Sequence, residues 1–166
     1  MTSKAGRDAS TSIEYGFLAD HPQLAETLAM WAHAEWGHLA PEDTLADSVE
    51  RFRLRAVRGR IPLCLVALEQ HEAVGCVVLK TAEEITRGGL TPWLGALYVR
   101  PDRRGYGIAS HLIQFALAVA KELGLSRLYL STVDSEALYR RHGWQPVERF
   151  VSGGESVVLM LSLIHI

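Results

Sequence analysis

Apolar residues return along this chain at two spacings. Ile108, Leu112, Phe115, Val119 and Leu123 recur every three or four positions, the period of a helix with one buried stripe, and Gly124 stands where that helix would stop. Leu24, Leu28 and Trp31 mark an earlier helical face. That helix is predicted to begin at His21, with Asp20 as its cap and Pro22 in its first turn, and to run to Trp36. Gly37 and Pro41 punctuate a turn before a second helix over 42–57, which ends ahead of Gly59. Short runs at 12–18, 62–69, 73–79, 91–99, 127–133, 144–150 and 156–161 are apolar or β-branched and read as strands. Gln70-His71-Glu72 reads as a hairpin turn, 80–90 as a polar loop, and 135–142 as a short helix closed by Gly143. The order is β-α-α-β-β-β-α-β-α-β-β, a mixed α/β fold around one sheet with a right-handed strand-helix-strand crossover in its second half. Ligands of open α/β sheets collect beyond the carboxyl ends of strands, which places a site beyond Val99 and Thr132.

Composition bounds the picture. A chain of 166 residues, 48% hydrophobic and 22% charged, fits one domain with a full core. Residues 12–162 are taken as that domain, 1–11 as a disordered polar lead-in and 163–166 as a tail. The apolar tail Leu163-Ile164-His165-Ile166 suits a strand extension or a dimer contact, so monomer and homodimer both stay open. A net charge of −2 and a pI near 6.4 supply no basic field for nucleic acid. Cys64 and Cys76 lie in apolar runs without CxxC spacing and read as buried free thiols of a reducing, cytoplasmic compartment. No run approaches the ~20 apolar residues of a membrane span, and residues 1–11 carry no apolar leader core.

Chemistry concentrates in Arg104-Gly105-Tyr106-Gly107-Ile108-Ala109, where a strand gives way to the longest helix. Two glycines let backbone approach a ligand closely, and the first turn of the helix offers free N–H groups and a partial positive charge to an anion. Alone, such a turn is equally a tight connector. It lacks the G-x-x-x-x-G-K-[ST] spacing of a P-loop, and it lacks the third glycine and the following acidic residue of a dinucleotide fold.

Its company is more specific. Leu97-Tyr98-Val99-Arg100-Pro101 followed by Arg104-x-x-Gly107-x-Ala109 resembles the [QR]-x-x-G-x-[GA] motif of the GNAT superfamily, the acyl-CoA-dependent N-acyltransferases. Ala137-Leu138-Tyr139-Arg140-Arg141-His142-Gly143-Trp144 looks like that family's second signature, about thirty residues on. The resemblance spans nearly the whole chain. It implies acetyl-CoA as cosubstrate, held by the backbone of Leu97, Tyr98 and Val99 along its pantetheine arm and by Arg104, Gly105, Tyr106, Gly107, Ile108, Ala109 and Ser110 at its pyrophosphate. It also implies Tyr139 as the acid that protonates the leaving thiolate. A phenol near pKa 10 can serve a thiolate near 8.5 at a mismatch of about 2 kcal/mol. The acceptor is expected to be a small-molecule primary amine. Pro62-Leu63-Cys64-Leu65 faintly resembles a branch acting on protein N-termini, so a protein N-terminus or lysine is the alternative, and a non-catalytic acyl-CoA sensor is a third reading.

Other candidates have bland readings beside sharp ones. The strand 93–99 carries no carboxylate, which leaves the general base unassigned between Glu35 and Asp134, the latter read first as the cap of the helix at Ser135. His111 reads as packed or at the solvent edge. Gly95 marks either a bulge that splays two strands or a close helix approach. Arg51, Arg53, Arg55, Arg58 and Arg60 form a solvated face or attract an acidic ligand, and Trp31, Trp36 and Trp93 line the core or an acceptor pocket. No spacing of His, Cys and carboxylates suggests a metal.

Overall fold

The computed structural model describes residues 12–82 and 89–164. The proposed lead-in, the centre of the 80–90 loop and the last two residues of the tail lie outside them. Seven strands, β1 (Glu14–Phe17), β2 (Leu63–Glu69), β3 (Glu72–Lys80), β4 (Trp93–Val99), β5 (Arg127–Thr132), β6 (Gln145–Ser152) and β7 (Glu155–Leu163), form one sheet in the order β1-β2-β3-β4-β5-β7-β6. Neighbours are antiparallel except β4 and β5, which run parallel and are joined through a helix. The α-helices are α1 (Ala25–Trp36), α2 (Leu45–Leu54), α3 (Ile108–Glu122) and α4 (Glu136–Arg141). Element order and mixed-sheet class agree with the sequence reading.

Strand β2 explains the layering. Every residue of it is buried, because successive side chains alternate between two covered faces. Leu63, Leu65 and Ala67 join α3 residues Leu112, Ile113 and Ala116 in one cluster. Cys64, Val66 and Leu68 join Leu28 and Ala29 of α1 and Phe52 of α2 in another. Removing one such side chain, as in Leu65→Ala, costs about 2–5 kcal/mol. Beyond β4 a third cluster of Trp93, Tyr129 and Leu159 covers the sheet without a helix.

Several local expectations fail for identifiable reasons. Residues 18–20 and 22–24 form 3-10 turns, so α1 begins only at Ala25, and Asp20 is not its cap: it pairs with Arg58, whose guanidinium lies 4.2 Å from the Phe17 ring centroid. Helix α2 is shorter than 42–57 because Thr44 and Asp47 form a capping box that fixes its start. The arginines around its end are not a uniformly solvated face. Arg51 makes a bidentate contact with Asp43 at 3.0 and 2.6 Å, and Arg55 is buried with its guanidinium 4.8 Å from the Phe52 ring centroid. The hairpin turns on Gln70 and His71, both at positive φ. Leu163 closes β7 opposite Arg127, and the Ile164 N–H extends the pairing to Ser126 O at 2.8 Å.

Candidate active site

Strands β4 and β5 pair at one position, Trp93 with Tyr129. From there toward Val99 and Thr132 no ladder partner joins them among the described residues, although each remains paired on its other side. The parallel strands therefore open into a wedge lined on the β4 side by backbone N–H and C=O groups that have no partner on β5. An extended, amide-bearing ligand can pair with such an edge as an added strand.

A bulge widens the wedge. Cys76 faces Tyr98 and Val78 faces Gly95, so Ala96 and Leu97 together oppose the single residue Val77. The left-handed residue is Ala96, at φ +50°, and not the Gly95 that drew attention in the sequence. Cys76 Sγ lies 3.5 Å from the Ala96 carbonyl oxygen and can donate to it. Cys76 thus touches the bulge beside the wedge. Cys64 and Cys76 are both buried free thiols. Burial, reinforced by Cys76, pushes the Cys64 thiol well up.

At the mouth of the wedge the chain turns through Pro101–Arg103 into the glycine segment. The turn is pinned from three directions: Arg100 N–H donates to Val74 O at 2.8 Å, Arg103 Nε to the buried Glu69 Oε1 at 2.6 Å, and Arg104 Nε to Val99 O at 2.9 Å. Gly105 and Gly107 adopt φ +87° and +81°, which side chains other than glycine tolerate poorly. Gly107 is the N-cap of α3, and among the described residues no side chain caps that helix. The first intrahelical bond is His111 N–H to Gly107 O at 3.1 Å, leaving the N–H groups of Ile108, Ala109 and Ser110 without helical acceptors. This arrangement can receive a multiply charged anion. His111 is occupied otherwise: its Nδ1 lies 2.9 Å from Gly107 O and its ring stacks on Tyr15 at 5.4 Å.

Gly75 is a contributor that sequence reading missed. A Cβ there would come within 3.0 Å of Tyr98 O and 3.1 Å of Leu112 Cδ1, so its absence lets the first turns of α3 sit close on β3 and β4. A glycine inside a strand run was the available signal.

Tyr139 sits on α4, at the β5 side. It is 7% exposed, packs edge-on against Trp144 at 5.9 Å, and belongs to the α3-side core cluster. Its carbonyl accepts the N–H groups of His142 and Trp144, which locks the helix end. Burial, with a smaller contribution from the Asp134 charge, pushes the phenol above its ordinary value. It is therefore fully protonated at neutral pH, and proton transfer to a thiolate is steeper than the unperturbed ~2 kcal/mol. The Trp144 indole Nε1 is buried without a partner beside it. Asp134 is not the cap of α4: Ser135 occupies that position, its N–H bonded to Thr132 Oγ1 at 3.0 Å.

On the opposite face Tyr98 meets α1. Trp31 lies 5.2 Å from its ring and Trp36 6.3 Å, and the Arg104 guanidinium is 5.5 Å away. Trp93 is not with them; it is buried against Tyr129 at 5.6 Å. Among the described residues no group of three His, Cys, Asp or Glu could hold a metal ion, and no helix is long and apolar enough to cross a membrane.

A mixed sheet whose parallel strands part beside an uncapped helix start suits a nucleotide-borne acyl donor. The sequence profile of the Acetyltransferase (GNAT) family matches residues 22–144, and the chain belongs to that family, which makes it an acetyl-CoA-dependent N-acetyltransferase by class. Among solved structures, aminoglycoside 6'-acetyltransferase type Ii is similar at 21% identity, over 94% of this chain and 99% of that one, with a TM-score of 0.70. An aminoglycoside 6'-N-acetyltransferase complexed with coenzyme A is similar at 19% identity, 94% and 98% coverage, and a TM-score of 0.67. The Salmonella typhimurium protein yncA, with its cofactor acetyl-CoA, is similar at 14% identity, 93% and 95% coverage, and a TM-score of 0.71. These likenesses confirm the fold. No curated protein matches the sequence.

Proposed function

We propose that the chain acetylates a small-molecule primary amine by direct attack within a ternary complex, with acetyl-CoA held in the wedge between β4 and β5. The observation that carries this reading is the parting of the two strands after Trp93 and Tyr129, with the uncapped start of α3 at the open end. The backbone of Leu97, Tyr98 and Val99 pairs with the pantetheine arm. The N–H groups of Gly105, Tyr106, Gly107, Ile108, Ala109 and Ser110 take the pyrophosphate, each charged bond contributing about 1.5–3 kcal/mol, whereas the Arg104 N–H, also expected there, already donates to Pro101 O at 3.4 Å. The cosubstrate supplies an activated acetyl group as a thioester. Tyr139 supplies the proton for the departing thiolate, and its burial keeps the phenol protonated at neutral pH while making the transfer uphill. Both cysteines are buried free thiols, which favours direct attack over a cysteine-borne acetyl group. Solved relatives named for acetylating aminoglycosides support a small-molecule acceptor over a protein one.

Tyr139→Phe tests the assignment. Thiol release at saturating substrates should fall roughly 10²–10⁴-fold, while calorimetric affinity for acetyl-CoA stays within about threefold. Unchanged turnover would remove Tyr139 from the reaction. Tight acetyl-CoA binding without amine-dependent thiol release from wild type would turn the proposal toward a sensor.

A further inference from the structure

The acceptor side of the wedge has a composition of its own, and its meaning rests on the transferase reading above. Tyr98, beside the Ala96 bulge, is flanked by Trp31 in a tilted stack and by Trp36 edge-on. All three residues are half-buried. One helical turn beyond Trp31, on the same side of α1, stands the exposed carboxylate of Glu35. Glu26, the other carboxylate of α1, faces Arg53 at 3.8 Å, and Asp43, just before α2, is clamped by Arg51. The Arg104 guanidinium already occupies one approach to the Tyr98 ring.

This wall can compensate one positive charge and cover a flat or bulky apolar body. Aromatic faces attract a single ammonium group and stack on a ring. A polycation would bring further ammonium groups toward the like-charged Arg104 guanidinium, with Glu35, the one carboxylate that α1 leaves without an ion pair among the described residues, to answer them. We infer that the acceptor is a monocationic primary amine carried on an aromatic or bulky apolar body, selected by Trp31, Trp36 and Tyr98.

The test is thiol release by the full chain with acetyl-CoA and matched amines: 2-phenylethylamine, tryptamine, n-butylamine, spermidine and kanamycin. The two aryl amines should exceed n-butylamine in kcat/KM by about tenfold or more, with spermidine and kanamycin below all three. Trp31→Leu should raise KM for 2-phenylethylamine about tenfold, with little change for n-butylamine or in acetyl-CoA affinity, and Trp31→Phe should restore most of the loss. If Trp31→Leu does not fold, Trp36→Leu at the helix end reads the same preference. Higher kcat/KM for spermidine or kanamycin, or an equal loss for every amine in the variants, would overturn this inference and leave the transferase reading standing. Silence with every amine would overturn both, and acetyl-CoA calorimetry would then show whether donor binding survives.

Discussion

At the start of α2, Thr44 Oγ1 accepts the Asp47 N–H at 3.1 Å while Asp47 Oδ2 accepts the Thr44 N–H at 3.0 Å. At the start of α3, Gly107 has no side chain to offer, and no other side chain among the described residues replaces it. The contrast extends to charge. α1, α2 and α4 carry Glu26, Asp47 and Glu136 in their first turns, whereas α3 carries no acid there. Helix starts leave N–H groups without intrahelical acceptors under the same dipole, and α1 already answers one of its own through Ala25 N–H to Pro22 O in the 3-10 turn before it. α1, α2 and α4 place an anion of their own at that end, and α3 keeps its end open, at the mouth of the wedge. An unsatisfied helix start costs stability, and a ligand that satisfies it recovers that free energy as affinity.

Giving α3 its own anion is the sharpest way to break the contrast. In Gly107→Asp the added Cβ meets nothing nearer than His111 Nδ1 at 3.9 Å, and aspartate tolerates the left-handed region better than most residues. The protein should therefore fold, with the new carboxylate competing for the same N–H groups and repelling a phosphate. Acetyl-CoA affinity by calorimetry should drop by about 100-fold, the equivalent of one or two charged hydrogen bonds. Affinity within threefold of wild type would remove the α3 start from donor binding.

The reciprocal change belongs on α2. Thr44→Ala deletes half of the capping box and should cost about 1 kcal/mol, within a range of 0.5–2, in denaturant unfolding. Acetyl-CoA affinity should not move, because α2 lies on the face away from α3. A parallel loss of affinity would mean that the two helix starts are coupled through the sheet, and the comparison would fail.

How much of this was legible beforehand follows from which atoms do the work. The glycine turn was readable because positive φ selects glycine, and glycines are visible as letters. The α3 stripe was readable because Ile108, Leu112 and Val119 are buried in one core, with Phe115 and Leu123 packed partly buried against it. The bulge was displaced by one residue, since Ala96 at φ +50° is held by its place between β3 and the wedge, and alanine has no backbone preference that announces this. Asp20 and Asp134 resembled caps because local sequence cannot reveal Arg58, 38 positions away, or that Thr132 would serve α4. Trp93 and Trp31 are the same letter, and only the strand order separates the core tryptophan from the one beside Tyr98.

The smallest effect tests the α4 start, which resembles that of α2 in supplying its own charge. Glu136 accepts Arg149 through both oxygens at 2.8 and 2.9 Å and Arg140 Nε at 2.9 Å, tying the helix that bears Tyr139 to β6. The bonds from Arg149, then Arg140, hold its carboxyl at about 2, against an ordinary 4.5. A depressed carboxyl pKa stabilises the fold above the unfolded value, and that contribution is lost as pH falls from about 4.5 through about 2. Solvent screens this exposed network, so the shift in midpoint should be small. Thermal melts should show Arg149→Ala slightly less stable than wild type at pH 7, with the two curves converging toward pH 2. A gap that persists undiminished at low pH would assign Arg149 to packing rather than charge, and α4 would then differ from α2 in how its start is held.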